Sequence, residues 1–261
     1  RGQDSLRREG DPPVVLFACG NGVFRTGSIN EVMEMLKKVF PAGAMFLLLL
    51  FSPGPGSGEE THESLFTRYF EGKVNAGSVL SVLSADEESL RRGNIPSLTV
   101  CIENAVVEGV TYDRLLLVLT DVYFTVDGEG ARIHSYSESR LSGSILKKDF
   151  LAGLKKNMPH YAVSELDLKD GRVMMKGVYE RKGLFKLRAL IRLTGQYVVG
   201  KDGTASIRFD DSTNDNALVS AADVGRAAAK AAPVISFRNF FAAPRVWEVR
   251  VDHDMVWFSA K

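Results

Sequence analysis

The chain has 261 residues, 45% of them hydrophobic and 25% charged, an ordinary globular composition with enough length to bury a real core. Lys and Arg number 33 against 32 Asp and Glu, a net charge of +1, which lacks the basic excess that binding a phosphate backbone requires. Nucleic acid is not an expected partner.

In chain order, residues 1–34 show little hydrophobic periodicity and read as an upstream extension outside the fold. Within them Leu16, Phe17, Ala18 and Cys19 faintly resemble a lipidation box, but the apolar run before it is short and broken by Pro12 and Pro13. Met35 and Leu36 with Lys37 and Lys38 then lead into the apolar run 39–51, followed by small and turn-forming residues to Gly58. A positive start, a short greasy middle and a small-residue exit describe a secretory signal peptide or an N-terminal anchor over 35–58, since spanning a bilayer takes ~20 apolar residues. A buried core helix is the alternative, and Pro41 and Gly43 count against it. What remains, 59–261, carries 27 charges of each sign and one cysteine, Cys101, so it holds no disulfide of its own. A lone Cys on a strand reads as a small packing residue.

Leu65, Phe66, Tyr69 and Phe70 repeat at helical spacing within 59–71. Ser84 with Glu87 three residues on forms a capping box for a short helix to Arg92, closed by Gly93. From Pro96 the pattern changes to strands: Leu98, Val100 and Ile102 alternate with Thr99, Cys101 and Glu103, and Leu115, Leu117 and Leu119 repeat the pattern. Leu116 and Val118 are apolar as well, which predicts a strand covered on both faces with a helix behind it. Ser144 precedes a helix over 145–157, where Leu146, Phe150, Leu154 and Met158 recur beside Lys147, Lys148, Lys155 and Lys156. Its basic flanks suit anionic lipid headgroups, and they suit equally a helix packed on a sheet with its lysines in water. Four strands follow, at 163–169, 172–179, 184–199 and 204–209, joined by Asp170-Gly171, by 181–183 and by Asp202-Gly203; connections this short make an antiparallel meander. Phe185, Leu187, Ala189, Ile191 and Leu193 form the greasy face of the third. Ser220 caps an alanine-rich helix ahead of Pro233, and a hairpin around Asp252, His253 and Asp254 closes the chain.

No catalytic constellation emerges from this pattern. His62, His134, His160 and His253 lack a second His or Cys at metal-ligand spacing. Ser142-Gly143-Ser144 lacks the second glycine of a nucleophile elbow and reads as a turn. Asp210, Asp211 and Asp215 with Asn214 and Asn216 offer oxygens for calcium, but without a spaced calcium-loop pattern they read as a solvated loop. The expectation is a protein that is not an enzyme and carries neither cofactor nor metal.

The segments 98–109 (LTVCIENAVVEG), 112–124 (YDRLLLVLTDVYF), 166–173 (LDLKDGRV) and 243–249 (APRVWEV), with the helix around Phe150 between them, resemble the LmeA-like phospholipid-binding family of bacterial envelope proteins, whose domains are similar to the tubular lipid-binding (TULIP) superfamily. The likeness covers about two-thirds of the chain and rests on pattern and order. It implies an α+β fold: a strongly curved antiparallel meander wrapped on helices, leaving an apolar groove for acyl chains. It implies export to the periplasm or cell envelope, a phospholipid or other acyl-chain lipid as partner, and a transient contact with the membrane surface. On that expectation the inward positions are Leu117, Leu119, Phe185, Leu187, Ile191, Ile207 and Phe209, with Phe237, Phe240 and Phe241 as an aromatic lip beside Arg238 and Arg245. Taken singly, each reads first as a dry core contact. A scaffolding envelope protein with a filled core and no ligand is the alternative function, and a secreted hydrolase assembled from distant residues is a third.

Overall fold

A computed structural model describes residues 16–18, 23–25, 61–128, 130–182 and 186–261. The leader or anchor expected over 35–58, the upstream extension apart from two short strands, and the side chain of Phe185 lie outside the described residues. Those two strands, β1 (Leu16–Ala18) and β2 (Val23–Arg25), pair antiparallel and belong to a unit of their own, residues 1–59.

The second unit, residues 60–261, is α+β and mostly antiparallel sheet. It opens with α1 (His62–Glu71), whose Thr61 side chain accepts the Ser64 amide as an N-cap. Next comes β3 (Ser78–Ser84), a strand absent from the sequence reading: serines recur every third residue in SVLSVLS and hide the period of two. The short helix α2 (Glu87–Arg91) is capped by Asp86, whose carboxylate accepts the Ser89 amide at 2.7 Å. Ser84, expected as that cap, is the last residue of β3.

β4 (Asn94–Val107) and β5 (Val110–Asp127) then form a long hairpin through a turn in which Glu108 (φ 50°) and Gly109 (φ 81°) both take left-handed conformations. With β6 (Gly130–Ser135), β7 (Glu138–Leu146) and the closing hairpin β12 (Val246–Asp252) and β13 (Met255–Ala260), they build a seven-stranded sheet in the order β12-β13-β7-β5-β4-β3, with β6 on β5. The helix expected from 145 begins two residues later, as α3 (Lys147–Asn157), because Ser144, Ile145 and Leu146 still pair with β13. Ser142-Gly143-Ser144 is likewise no turn: it lies inside β7, with Gly143 opposite Phe258.

The meander is as read. β8 (Tyr161–Lys169), β9 (Arg172–Lys182), β10 (Lys186–Val199) and β11 (Ala205–Asn214) form a four-stranded sheet in the order β11-β10-β9-β8. The fourth strand runs on to Asn214, through residues expected as loop. α4 (Ala221–Ala231) follows, with Ser220 Oγ accepting the Asp223 amide at 3.2 Å.

The turns of the small sheet dock on the last hairpin of the large one. The Gly171 amide donates to the Val251 carbonyl at 2.9 Å, the Asp254 amide to Leu168 at 3.1 Å, and the Val246 amide to Gly203 at 2.9 Å. Gly203 sits at φ 76°, and a β-carbon there would lie 2.6 Å from that of Arg245, so this junction requires glycine. Neither sheet is strongly curled, against the expectation of a strongly curved one. The inward faces of both sheets, with Phe66 and Phe70 of α1, Phe150 and Leu154 of α3 and Ala228 of α4, instead share one continuous buried cluster. Among the described residues no helix stands behind Leu116 and Val118, where one was expected. Both side chains are half-buried among cross-strand neighbours, Cys101 and Ser142 for the first, Thr99 and Arg140 for the second. The buried faces of α1 and α3 join Leu115, Leu117 and Leu119 on the opposite side of β5. No described helix is long and apolar enough to cross a membrane.

Candidate functional site

Those of the singled-out apolar positions that are described lie in or against the buried cluster the two sheets share, their common seam. Leu117 and Leu119 project from β5 of the large sheet and are fully buried. Ile191 and Ile207, on β10 and β11, are buried in the same cluster, while Leu187 and Phe209 are half-buried at its margin. Register explains the grouping: Tyr197 pairs with Ile207 and Gly195 with Phe209, so alternate residues of the two strands share one face.

Phe237, Phe240 and Phe241 are not a solvent-facing lip. Phe237 is 1% exposed and Phe240 8%; Phe241 is half-buried. The Phe237 ring lies 5.4 Å from Tyr112 of β5 and 5.1 Å from Phe258 of β13, centre to centre, and Phe240 packs on it at 5.8 Å. Phe241 meets Phe70 of α1 edge-on at 5.2 Å and lies 6.0 Å from Tyr136. Phe237 and Phe240 belong to the buried cluster and Phe241 packs against it. Within 233–245 Ile235, Phe237 and Phe240 turn inward, whereas Val234 stays exposed.

Sequence reasoning missed the polar groups of the seam. The Tyr161 hydroxyl, buried, donates to the Ile191 carbonyl at 3.1 Å, and Tyr197 donates to the Pro233 carbonyl at 3.0 Å. The Tyr112 hydroxyl is buried without a hydrogen bond of good geometry, with the Ser236 backbone beside it. Burial drives all three phenols far above the usual tyrosine range, Glu108 adding to the effect at Tyr112 and Tyr112 to that at Tyr197. A tyrosine near a strand end reads from sequence as one more apolar residue, and only its partners across the fold reveal the hydroxyl's role.

The helix with basic flanks packs on the core. Phe150 and Leu154 are buried in it, leaving Lys148, Lys155 and Lys156 exposed. Where α3 begins, an open groove of about 500 Å3 is lined by Leu146, Lys147, Lys148, Leu151, His253, Asp254 and Met255. Lys147 is engaged within it, its Nζ 2.9 Å from Asp254 and 4.0 Å from Asp167. Asp149 on the same helix has its pKa raised by burial, with Lys148 opposing.

The acidic stretch after Phe209 is structural. Arg172 donates both guanidinium nitrogens to Asp210 at 2.8 and 3.0 Å, Asp215 accepts the Leu190 amide at 2.7 Å, and the Asn216 side chain donates to the Arg188 carbonyl at 2.9 Å. Among the described residues no group of three or more His, Cys, Asp or Glu is placed to hold a metal. No protein-family model, no curated protein and no solved structure matches this chain.

Proposed function

We infer that this is an exported, non-enzymatic lipid-binding or lipid-shuttling protein of the cell envelope, taking the acyl chains of a phospholipid into the seam between its sheets as a TULIP-like, LmeA-like domain would. The observation that carries the reading is the seam itself. It gathers Leu117 and Leu119 of one sheet and Ile191 and Ile207 of the other into one buried cluster, with an irregular aromatic segment packed into it. Burying hydrocarbon yields ~0.8 kcal/mol per CH2, so about ten methylenes give useful affinity without precise polar contacts. The exposed Lys148, Lys155 and Lys156 support a transient contact with anionic headgroups at a membrane surface.

A second reading, a scaffolding envelope protein with no ligand, is favoured by the same burial values. The residues meant to touch lipid already touch one another, so an acyl chain must displace protein atoms to enter. Native mass spectrometry of the purified protein, with extraction of co-purified lipid, separates the two. A bound species of phospholipid mass is the expected result. A bare protein that also fails to take up a fluorescent fatty acid favours the scaffold.

A further inference from the structure

The segment between α4 and β12 is held by backbone pairs at its two ends and by very little between them. At the near end Ile235 and Ala205 exchange two backbone hydrogen bonds of 2.9 Å; at the far end Arg245 and Lys261 exchange bonds of 2.8 and 3.0 Å. Between these anchors its backbone makes two turn bonds within itself, Phe240 amide to Phe237 carbonyl and Ala243 amide to Phe240 carbonyl. Among the described residues, one well-formed backbone hydrogen bond ties the middle to the rest of the fold: the Asn239 amide donates to Glu108 Oε1 at 2.9 Å. An exposed ion pair, Arg238 with Asp202, is the other polar tether.

The closed position also carries strain. Ala242 at φ 66° and Ala243 at φ 42° lie consecutively in the left-handed region, where an L-alanine has no side-chain hydrogen bond to compensate. Strain of this kind persists only where surrounding contacts outweigh it, and here those contacts are the rings of Phe237, Phe240 and Phe241 against Tyr112, Phe70 and Tyr136. Releasing the rings would free both alanines at once. Two backbone anchors, two exposed polar tethers and a strained turn beside buried aromatic side chains are the parts of a hinged plug.

We propose that residues 236–244 are a displaceable plug: the rings of Phe240 and Phe241 occupy the end of the seam in the unliganded protein, and an acyl chain enters by swinging them out about the Ile235 and Arg245 anchors. This rests on the lipid-binding reading and states how a filled seam admits a ligand. Opening is governed by the Glu108 latch, an exposed residue outside the buried cluster.

The test uses the full chain, a dansyl-labelled fatty acid as probe, and hydrogen exchange of the plug amides. Glu108→Asn keeps a residue suited to the left-handed turn and withdraws the carboxylate from Asn239; it should speed exchange across 237–243 at least about threefold and tighten the probe by a similar factor. Ala242→Gly with Ala243→Gly relieves the closed state, and should slow exchange and weaken the probe. Equal exchange and equal affinity in all three proteins, with the wild type binding the probe, overturns the plug and leaves the lipid-binding reading intact. Absence of uptake in the wild type, in Glu108→Asn and in Phe241→Ala overturns both.

Discussion

Tyr161 and Ser81 carry buried hydroxyls with opposite consequences. Tyr161 donates to the Ile191 carbonyl, so Tyr161→Phe leaves a buried acceptor unpaired and should cost about 1 kcal/mol, read as a lowered urea midpoint at unchanged slope. The Ser81 hydroxyl is buried with no partner, and its desolvation already burdens the folded state. Ser81→Ala should therefore leave the midpoint where it is or raise it; a loss comparable to that of Tyr161→Phe would show that a partner exists. Ser81 also shows why β3 was illegible: a serine aimed inward breaks the alternation by which a strand is read. Its amide, pointing off the sheet edge, is taken by Thr67 Oγ at 3.0 Å, so α1 covers the outermost strand at its middle.

At the scale of elements, three glycines within strands each face an aromatic ring. A β-carbon on Gly143 would lie 2.7 Å from the Phe258 ring and 2.5 Å from the Arg114 carbonyl oxygen. One on Gly177 would lie 2.9 Å from Tyr161, and one on Gly195 2.8 Å from Phe209. A glycine in a strand usually weakens it; here each is the floor on which a ring lies flat across the sheet. Gly143→Ala meets a backbone oxygen that cannot swing away and should destabilise by about 3 kcal/mol, whereas Gly128→Ala, with open space around it, should be near neutral. Thermal melts of the two variants against wild type check the pair. The same contact converts Ser142-Gly143-Ser144 from an expected turn into strand, since the ring that demands the glycine is more than a hundred residues away in sequence. The long β4–β5 hairpin has a related lesson: buried positions run Leu98, Val100, Ile102 and then Ala105, Val107, the parity changing at Asn104 (φ 50°), and on β5 it changes again at Asp121 (φ 49°). A strict period of two reads the middle of each strand correctly and misplaces its ends, so Tyr123 proves exposed and Phe124 buried.

For the whole molecule, the buried phenols link stability to alkaline pH. Tyr112, Tyr161 and Tyr197 have folded pKa values raised above the ordinary 10.0, so their protonated forms are held by the fold. Such groups contribute fully below pH 10, and that stability is lost as pH rises beyond it, because the unfolded chain releases protons that the folded chain retains. The expected outcome is a melting temperature that falls steeply above pH 10, with part of the phenolate absorbance near 295 nm appearing only on unfolding. Phenolate absorbance that develops completely before the melt would mean that these rings are wet. At this scale too the two sheets meet: the Asp170-Gly171 and Asp202-Gly203 turns, both legible as turns, are also the points where the small sheet grips β12.

What the chain's own pattern determined is local: the meander of β8 to β11, the Ser220 cap, the Asp170-Gly171 and Asp202-Gly203 turns, and the apolar identity of Leu117, Ile191 and Ile207. Each follows from propensities and periods acting within a few residues. Tertiary structure decided the rest. Which apolar faces close on one another, that Phe237 and Phe240 turn inward rather than to solvent, and that a tyrosine hydroxyl finds a carbonyl on another strand all depend on elements distant in sequence sharing one volume. A side chain's environment is set by what fills the space around it, and one strand's spacing carries no record of that.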